Sequence, residues 1–231
     1  MSNPDTSPAK QAAVISRSML RNSSALALFA LLTAALLAAT QNVTEPKILA
    51  AERAAQQRAL LEIVPDGLHN NDLLADTYPI PEQHWALLGL DKGGRAHIAK
   101  RNGEPVAIIV PAISKSGYSG DIAMIIGFTV EGELLGVRVT QHKETPGLGD
   151  KVDLKKSDWI LSFNSLSLDN TPREAWAVKK DGGSFEQFTG ATITPRAVIE
   201  QVLASLDYFA LDSAALLSKS NHSNSLEVGN E

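Results

Sequence analysis

Between Asn22 and Thr44 the chain carries no charged residue, and from Ala25 to Ala39 it is almost wholly alanine, leucine and phenylalanine. About 20 consecutive apolar residues are what an α-helix needs to cross the hydrocarbon core of a bilayer. A helix is also one of only two backbone forms that satisfy their own hydrogen bonds there. The run therefore predicts a single transmembrane helix over residues 22–44, and it sets the frame for the rest. Lys10, Arg17 and Arg21 precede it against one acid, Asp5, so the first 21 residues carry +2 and the remainder −7 of a formal −5. Cations gathered before the span predict that residues 1–21 lie in the cytoplasm and that the bulk of the chain lies outside it. A cleaved secretory signal is the competing reading. Against it, the uncharged stretch is longer than a usual signal core, and the residues after Thr40 form a weak cleavage site. The span holds no ionisable side chain, so this helix alone supplies no ion pathway.

Beyond the span, residues 45–92 read as a helical stalk and linker. Lys47 to Val64 has helical composition and is ended by Pro65, Asp66 and Gly67. His69 to Pro81 is expected to be irregular, broken by Asn70, Asn71, Pro79 and Pro81. Residues 93–217 then read as one domain. Arg95–Lys100 and Val106–Ile113 flank Asn102-Gly103, a strong hairpin signal because both positions accept positive φ. Ile122–Val130 and Leu134–Thr140 flank Glu131-Gly132 in the same way. About four antiparallel strands in a meander are expected, followed by a helix over Val152–Phe163, a strand over Ala175–Lys179 and a turn at Asp181-Gly182-Gly183. With the packed helices this makes an α+β fold. From Ser218 the chain turns to Ser, Asn, Gly and charge, so residues 218–231 are expected to form a disordered tail.

There is no cysteine, which excludes disulfides, thiolate iron–sulfur clusters and the usual covalent haem attachment. The five histidines, at 69, 84, 97, 142 and 222, show no metal-ligand spacing, so no metal site is expected. Nor is a nucleic-acid partner expected. The stretch with the most chemical content is Phe188-Thr189-Gly190-Ala191-Thr192-Ile193-Thr194-Pro195. Thr194 and Pro195 read as the N-cap and first residue of a helix. Val198, Ile199, Val202, Leu203, Leu206 and Phe209 form its apolar face as far as about Leu211. Gly190 and Ala191 leave the backbone around Thr192 open to close approach, and an anion there would meet the positive end of the helix. A plain turn before a capped helix accounts for the same residues.

The loop from Gln141 to Asp150 is the second notable stretch. Pro146 and Gly147 suit the centre of a type II turn, and Gly149 lets the backbone bend again or approach a ring. It lacks the third glycine of a dinucleotide fingerprint. Taken alone it is a connection, with His142 and Glu144 in solvent. In the loop 116–120, Tyr118 could stack on a flat ligand or simply anchor packing.

The run Thr189-Gly190-Ala191-Thr192 resembles the covalent flavin attachment motif of FMN-binding subunits in Rnf-type electron transport complexes and in sodium-translocating quinone reductases. His142-Lys143-Glu144-Thr145-Pro146-Gly147-Leu148-Gly149 is similar to a second hallmark of that family. The likeness runs from about Gly117 to Leu211, includes Lys156-Ser157-Asp158-Trp159-Ile160 and Trp176, and is closest to the Rnf-type G subunit. Where the family usually has aspartate six residues before the modified threonine, this chain has Glu186. The resemblance implies FMN joined by a phosphoester to Thr192, with Thr189, Gly190, Ala191 and Thr194 around the attachment point. It also implies that Glu144, Thr145, Gly147, Leu148 and Gly149 lie against the flavin. No residue of the chain is expected to be catalytic, and Trp176 is expected in the core.

The implied role is an electron relay in a multi-subunit complex, with other membrane and peripheral subunits as partners. A separate flavin transferase would be needed for maturation. The implied setting is a bacterial inner membrane crossed once, with the main domain in the periplasm. The C subunit of a sodium-translocating quinone reductase and a non-redox membrane-anchored scaffold both remain open at this point.

Overall fold

The computed structural model describes residues 8–227. The chain divides into two compact units, Met1–Ala54 and Ala55–Glu231. Helix α1 (Pro8–Ile63) joins the span and the stalk expected from sequence into one helix, with Pro46 inside it. The stretch Asn22–Ile63 is long and apolar enough to cross a membrane, and its most apolar window has a mean hydropathy of 2.0 with none of it buried. Leu26, Leu28, Phe29, Leu31, Leu32, Leu36 and Leu37 are all exposed. They point round the whole helix, as a lipid-facing surface requires. The hydroxyls in this apolar run are satisfied locally: Thr33 donates to Phe29 O at 2.9 Å and Thr40 to Leu36 O at 2.8 Å. Back-bonding of this kind removes the cost of an unpaired hydroxyl in hydrocarbon. Asp5 and the rest of residues 1–7 lie outside the described residues.

The second unit is built on a five-stranded antiparallel sheet in the order β1-β2-β3-β4-β5. Its strands are β1 (Thr77–Pro79), β2 (Arg95–Arg101), β3 (Glu104–Ser114), β4 (Ile122–Thr129) and β5 (Leu134–Gln141). At the β2–β3 turn Asn102 and Gly103 have φ of 54° and 88°, the positive values that the pair was expected to supply. β1 was not expected, since its residues fall in the stretch read as irregular. It is three residues long and lies at the sheet's edge, where one side needs no partner and Pro79 is tolerated.

Alternation along the strands sends two sets of side chains to opposite faces. Ile98, Ile108, Val110, Met124, Ile126 and Phe128 join the main core with Val198, Val202, Leu206 and Phe209 of helix α2 (Ile193–Glu227). Phe128 and Phe209 stack there at 4.8 Å. Ala99, Ala107 and Ile109 point the other way and pack with Leu60, Ile63, Val64 and Leu73. Each fully buried side chain of this size contributes about 1.5–3 kcal/mol. Gly127 makes the second face possible, because a Cβ there would lie 2.2 Å from Ile63 Cγ2.

Two sequence expectations for residues 149–181 fail. In place of one helix over Val152–Phe163 there are two short 3₁₀ segments, Gly149–Val152 and Asp158–Phe163. Polar side chains break the ladder between them: Asp153 accepts from Lys155 N at 3.0 Å, and Ser157 caps the second segment by accepting from Trp159 N at 3.2 Å. The expected strand over Ala175–Lys179 is instead two 3₁₀ turns, Arg173–Ala175 and Lys179–Asp181, with a single parallel bridge from Val178 to Phe185. The chain folds back at Gly182, φ 91°, and its backbone bonds run within residues 175–185, so no strand partner is available. These turns surround an aromatic cluster of Trp159, Phe163, Trp176, Phe185 and Phe188. Trp176 is buried in it, as expected.

Helix α2 continues to Glu227, through positions read from sequence as the start of a disordered tail. Once nucleated, a helix gains one hydrogen bond for each residue added. Residues 228–231 of that tail lie outside the described residues.

Candidate functional site

The segment leading into α2 is pinned at alternate points. Phe185 and Phe188 are buried, and the Trp159 and Phe188 rings pack edge to face with centroids 5.0 Å apart. The Trp159 indole N–H donates to Glu186 O at 2.8 Å. With those anchors set, Glu186, Gln187, Thr189 and Gly190 face solvent. Gly190 turns the chain with φ of 81°, and Ala191 N closes the turn on Phe188 O at 3.1 Å. Thr192 follows, half-buried and directly before the first helical residue, Ile193.

This corrects the cap read from sequence. Thr194 lies inside the first turn and is fully buried, and its hydroxyl donates to Glu144 Oε2 at 2.5 Å. Pro195 remains in the first turn, where its missing N–H has no consequence. Thr192 occupies the flanking position instead. Both assignments fit the sequence, and the partner that decides between them is fifty residues away.

The 141–150 loop makes the turn that Pro146 and Gly147 predict: Leu148 N donates to Thr145 O at 3.1 Å and Gly147 has φ of 78°. Glu144 is not solvated, as the loop alone suggested, but only 4% exposed. Its Oε1 accepts from Ser119 N at 2.9 Å while Oε2 accepts from Thr194. Gly149 is also buried, and here any side chain would have to displace its neighbours. A Cβ would stand 2.8 Å from both Glu144 Oε2 and Thr194 Oγ1. The next residue, Asp150, is buried with its Oδ1 unpaired among the described residues.

Together these segments enclose a cleft of about 370 Å³. From the segment before and into α2, Gly190, Ala191, Thr192 and Thr194 line it; from the loop, Glu144, Thr145, Leu148 and Gly149 do. Of the residues singled out in the sequence, Thr189 and Gly147 do not line it. Ile193 and Tyr118 do, and Tyr118 is 68% exposed. Ser119 was missed because it acts through its main-chain N–H, which no side-chain identity reveals. Just beyond the α2 start, Arg196 grips Asp181 through two bonds at 2.6 and 2.8 Å, which holds the Asp181 carboxyl below its ordinary range.

The cleft suits a flavin mononucleotide. Its volume falls within the few hundred Å³ typical of small-molecule sites. Exposed apolar surface on Leu148, Ile193 and Tyr118 offers contact for a flat ring. Gly190 and Ala191 put no bulk beside Thr192, and the helix that begins at Ile193 presents its positive end to a phosphate.

Comparison with known proteins points the same way. The FMN-binding domain family matches residues 117–207, and the RnfG N-terminal region matches residues 10–63. The chain is 48% identical over 201 residues to the G subunit of the ion-translocating oxidoreductase complex of Pseudomonas aeruginosa, covering 87% of this chain and 93% of that one. It is 45% identical over 203 residues to the protein of the same name from Shewanella loihica, covering 88% and 95%. With the Shewanella piezotolerans protein of that name it shares 44% identity over 215 residues, 93% and 99% of the two chains.

Proposed function

The chain belongs to the family of G subunits of ion-translocating oxidoreductase complexes, and we propose that it carries its FMN covalently, through a phosphoester to Thr192. It is a flavoprotein subunit that passes electrons within an Rnf-type complex, in company with that complex's other subunits. When bound, FMN supplies the redox chemistry, while the protein holds and orients it. The alternatives of a quinone-reductase C subunit and a non-redox scaffold give way to this assignment.

The observation that carries the Thr192 reading is the cleft, in which the two motif loops, far apart in sequence, line one space with Thr192 at its wall. A threonine hydroxyl is a poor nucleophile at neutral pH, and among the described residues no side chain is bonded to Thr192 to activate it. Activation therefore falls to a separate, magnesium-dependent transferase that uses FAD as donor. The Thr192 Oγ–phosphorus bond forms, the pyrophosphate bond of FAD breaks, AMP leaves, and the hydroxyl proton passes to the transferase. The flavin-carrying unit, Ala55–Glu231, stands in the periplasm, anchored in a bacterial inner membrane by the apolar part of α1 with the N-terminus in the cytoplasm.

Co-expression with such a transferase should add the mass of FMN less one water, localised to a peptide containing Thr192. Thr192→Val should abolish the addition without unfolding the domain. Flavin still attached in that variant would move the site elsewhere. For topology, a reporter fused at the C-terminal end should be active only if it works outside the cytoplasm. A cytoplasm-dependent reporter active at that junction would overturn the orientation.

A further inference from the structure

Glu144 is a buried carboxylate with no cationic partner among the described residues. Taking a carboxylate out of water without a counter-charge is costly unless hydrogen bonds compensate. Its two bonds go to segments distant in sequence: Ser119 N, 25 residues before it, and Thr194 Oγ1, 50 residues after it. They tie the β3–β4 loop and the first turn of α2 to the loop that follows β5. Gly149 sits over the junction, where a Cβ would stand 2.8 Å from both bonded oxygens. All three tied segments contribute walls to the cleft, and Thr192 is two residues from one of the tied atoms.

From this arrangement we infer that Glu144 is a positioning residue, a latch that assembles the cleft and fixes Thr192 for modification before any flavin is present. It acts through its two hydrogen bonds and not through its charge. The inference rests on the proposed attachment to Thr192 for its consequence, but the latch exists in the flavin-free protein and is measured there. Glutamine can replace it in kind: the amide oxygen accepts from Ser119 N, and the amide N–H₂ donates to Thr194 Oγ1, which as a hydroxyl also accepts. Alanine can do neither.

The test uses the full-length, flavin-free chain in detergent micelles. In wild type the Ser119 amide should be protected from hydrogen exchange. In Glu144→Ala its exchange should rise about tenfold or more, since its buried hydrogen bond is lost, and Glu144→Gln should restore protection. Thr194→Val, which deletes one hydroxyl at nearly constant volume, should loosen the α2 start while leaving the fold intact, should Glu144→Ala fail to fold.

The same four proteins are then exposed to the transferase and FAD. Attachment at Thr192 should slow about tenfold in the Ala and Val variants and return to near the wild-type rate in the Gln variant. Ser119 exchange unchanged in Glu144→Ala, or a Gln variant as impaired as the Ala variant, would overturn the latch. If wild type itself accepts no flavin while the exchange pattern holds, the attachment reading fails and the latch stands.

Discussion

Replacing Gly149 by alanine adds one methyl group, and the structure says where it goes. Its carbon would stand 2.8 Å from Glu144 Oε2, 2.8 Å from Thr194 Oγ1 and 3.0 Å from Glu144 Cβ. Ordinary contact begins near 3.4 Å, so both oxygens must retreat by about 0.6 Å from a methyl that forms part of the backbone's own geometry. They are bonded to each other and buried, so neither can withdraw into solvent. Overpacking of this kind costs about 1–3 kcal/mol, and weakening a bond to a carboxylate costs up to about 3 kcal/mol. The two describe one displacement and are not added. A loss of about 2–3 kcal/mol follows, the upper end of both ranges, or roughly 4–12 °C in melting temperature for a chain of this size.

The assay is urea unfolding of the full-length protein in micelles, followed by tryptophan fluorescence. Trp85, Trp159 and Trp176 all belong to the second unit, so the signal reports its unfolding alone. Gly147→Ala is the control: its φ of 78° strains an alanine, but nothing lies within 4 Å, and the loss should be near 1 kcal/mol. Combining Gly149→Ala with Thr194→Ala should cost less than the sum of the two, by at least about 0.5 kcal/mol, because one clashing atom is gone. If Gly149→Ala destabilised no more than Gly147→Ala, or if the double variant were additive, the packing argument at Gly149 would be wrong.

Phe163→Ala should lower stability by about 3–5 kcal/mol in the same assay, since the ring is fully buried and stacks on Phe185 at 4.6 Å. Gly127→Val should drive Ile63 off the sheet, and Ile63→Ala in the same chain should recover part of the loss; no recovery would mean that the clash lies elsewhere. Burial holds the His97 imidazole below its ordinary value of 6.5, with Arg95 adding to the effect and the bond to Leu73 O opposing it. The unfolded chain then takes up the proton first, so stability falls as pH drops through 6.5 and levels off below the folded-state value. His97→Gln should flatten that part of the profile in urea titrations between pH 7.5 and 5.

The strands β2 to β5 were legible because alternation and paired turn residues are local signals, complete within a few positions. β1 was not, because three residues ending in proline carry no period, and only the edge of β2 gives them a role. The segment from Gly149 to Phe163 has helical composition, yet Asp153 and Ser157 divert its backbone bonds, a competition that periodicity does not register. The site shows the same division. Its turn at Pro146-Gly147 and its small residues at Gly190-Ala191 could be read directly. Glu144, in a run of polar and glycine residues, read as solvated because both of its partners come from other segments. The position of the helix start depended on the same bond, which is why Thr194 was taken for the cap.

Each strand of the sheet pairs with its neighbour in sequence, so those pairings can form in the order in which the chain leaves the ribosome, with short loops to close. The bond between Glu144 and Thr194 cannot form that way, because its second partner is synthesised fifty residues later. Thr192, the proposed acceptor, and the helix that completes its wall therefore arrive last. A chain cut between Gln141 and Thr192 would hold every strand of the sheet, but it would offer the proposed transferase neither a hydroxyl nor a finished cleft.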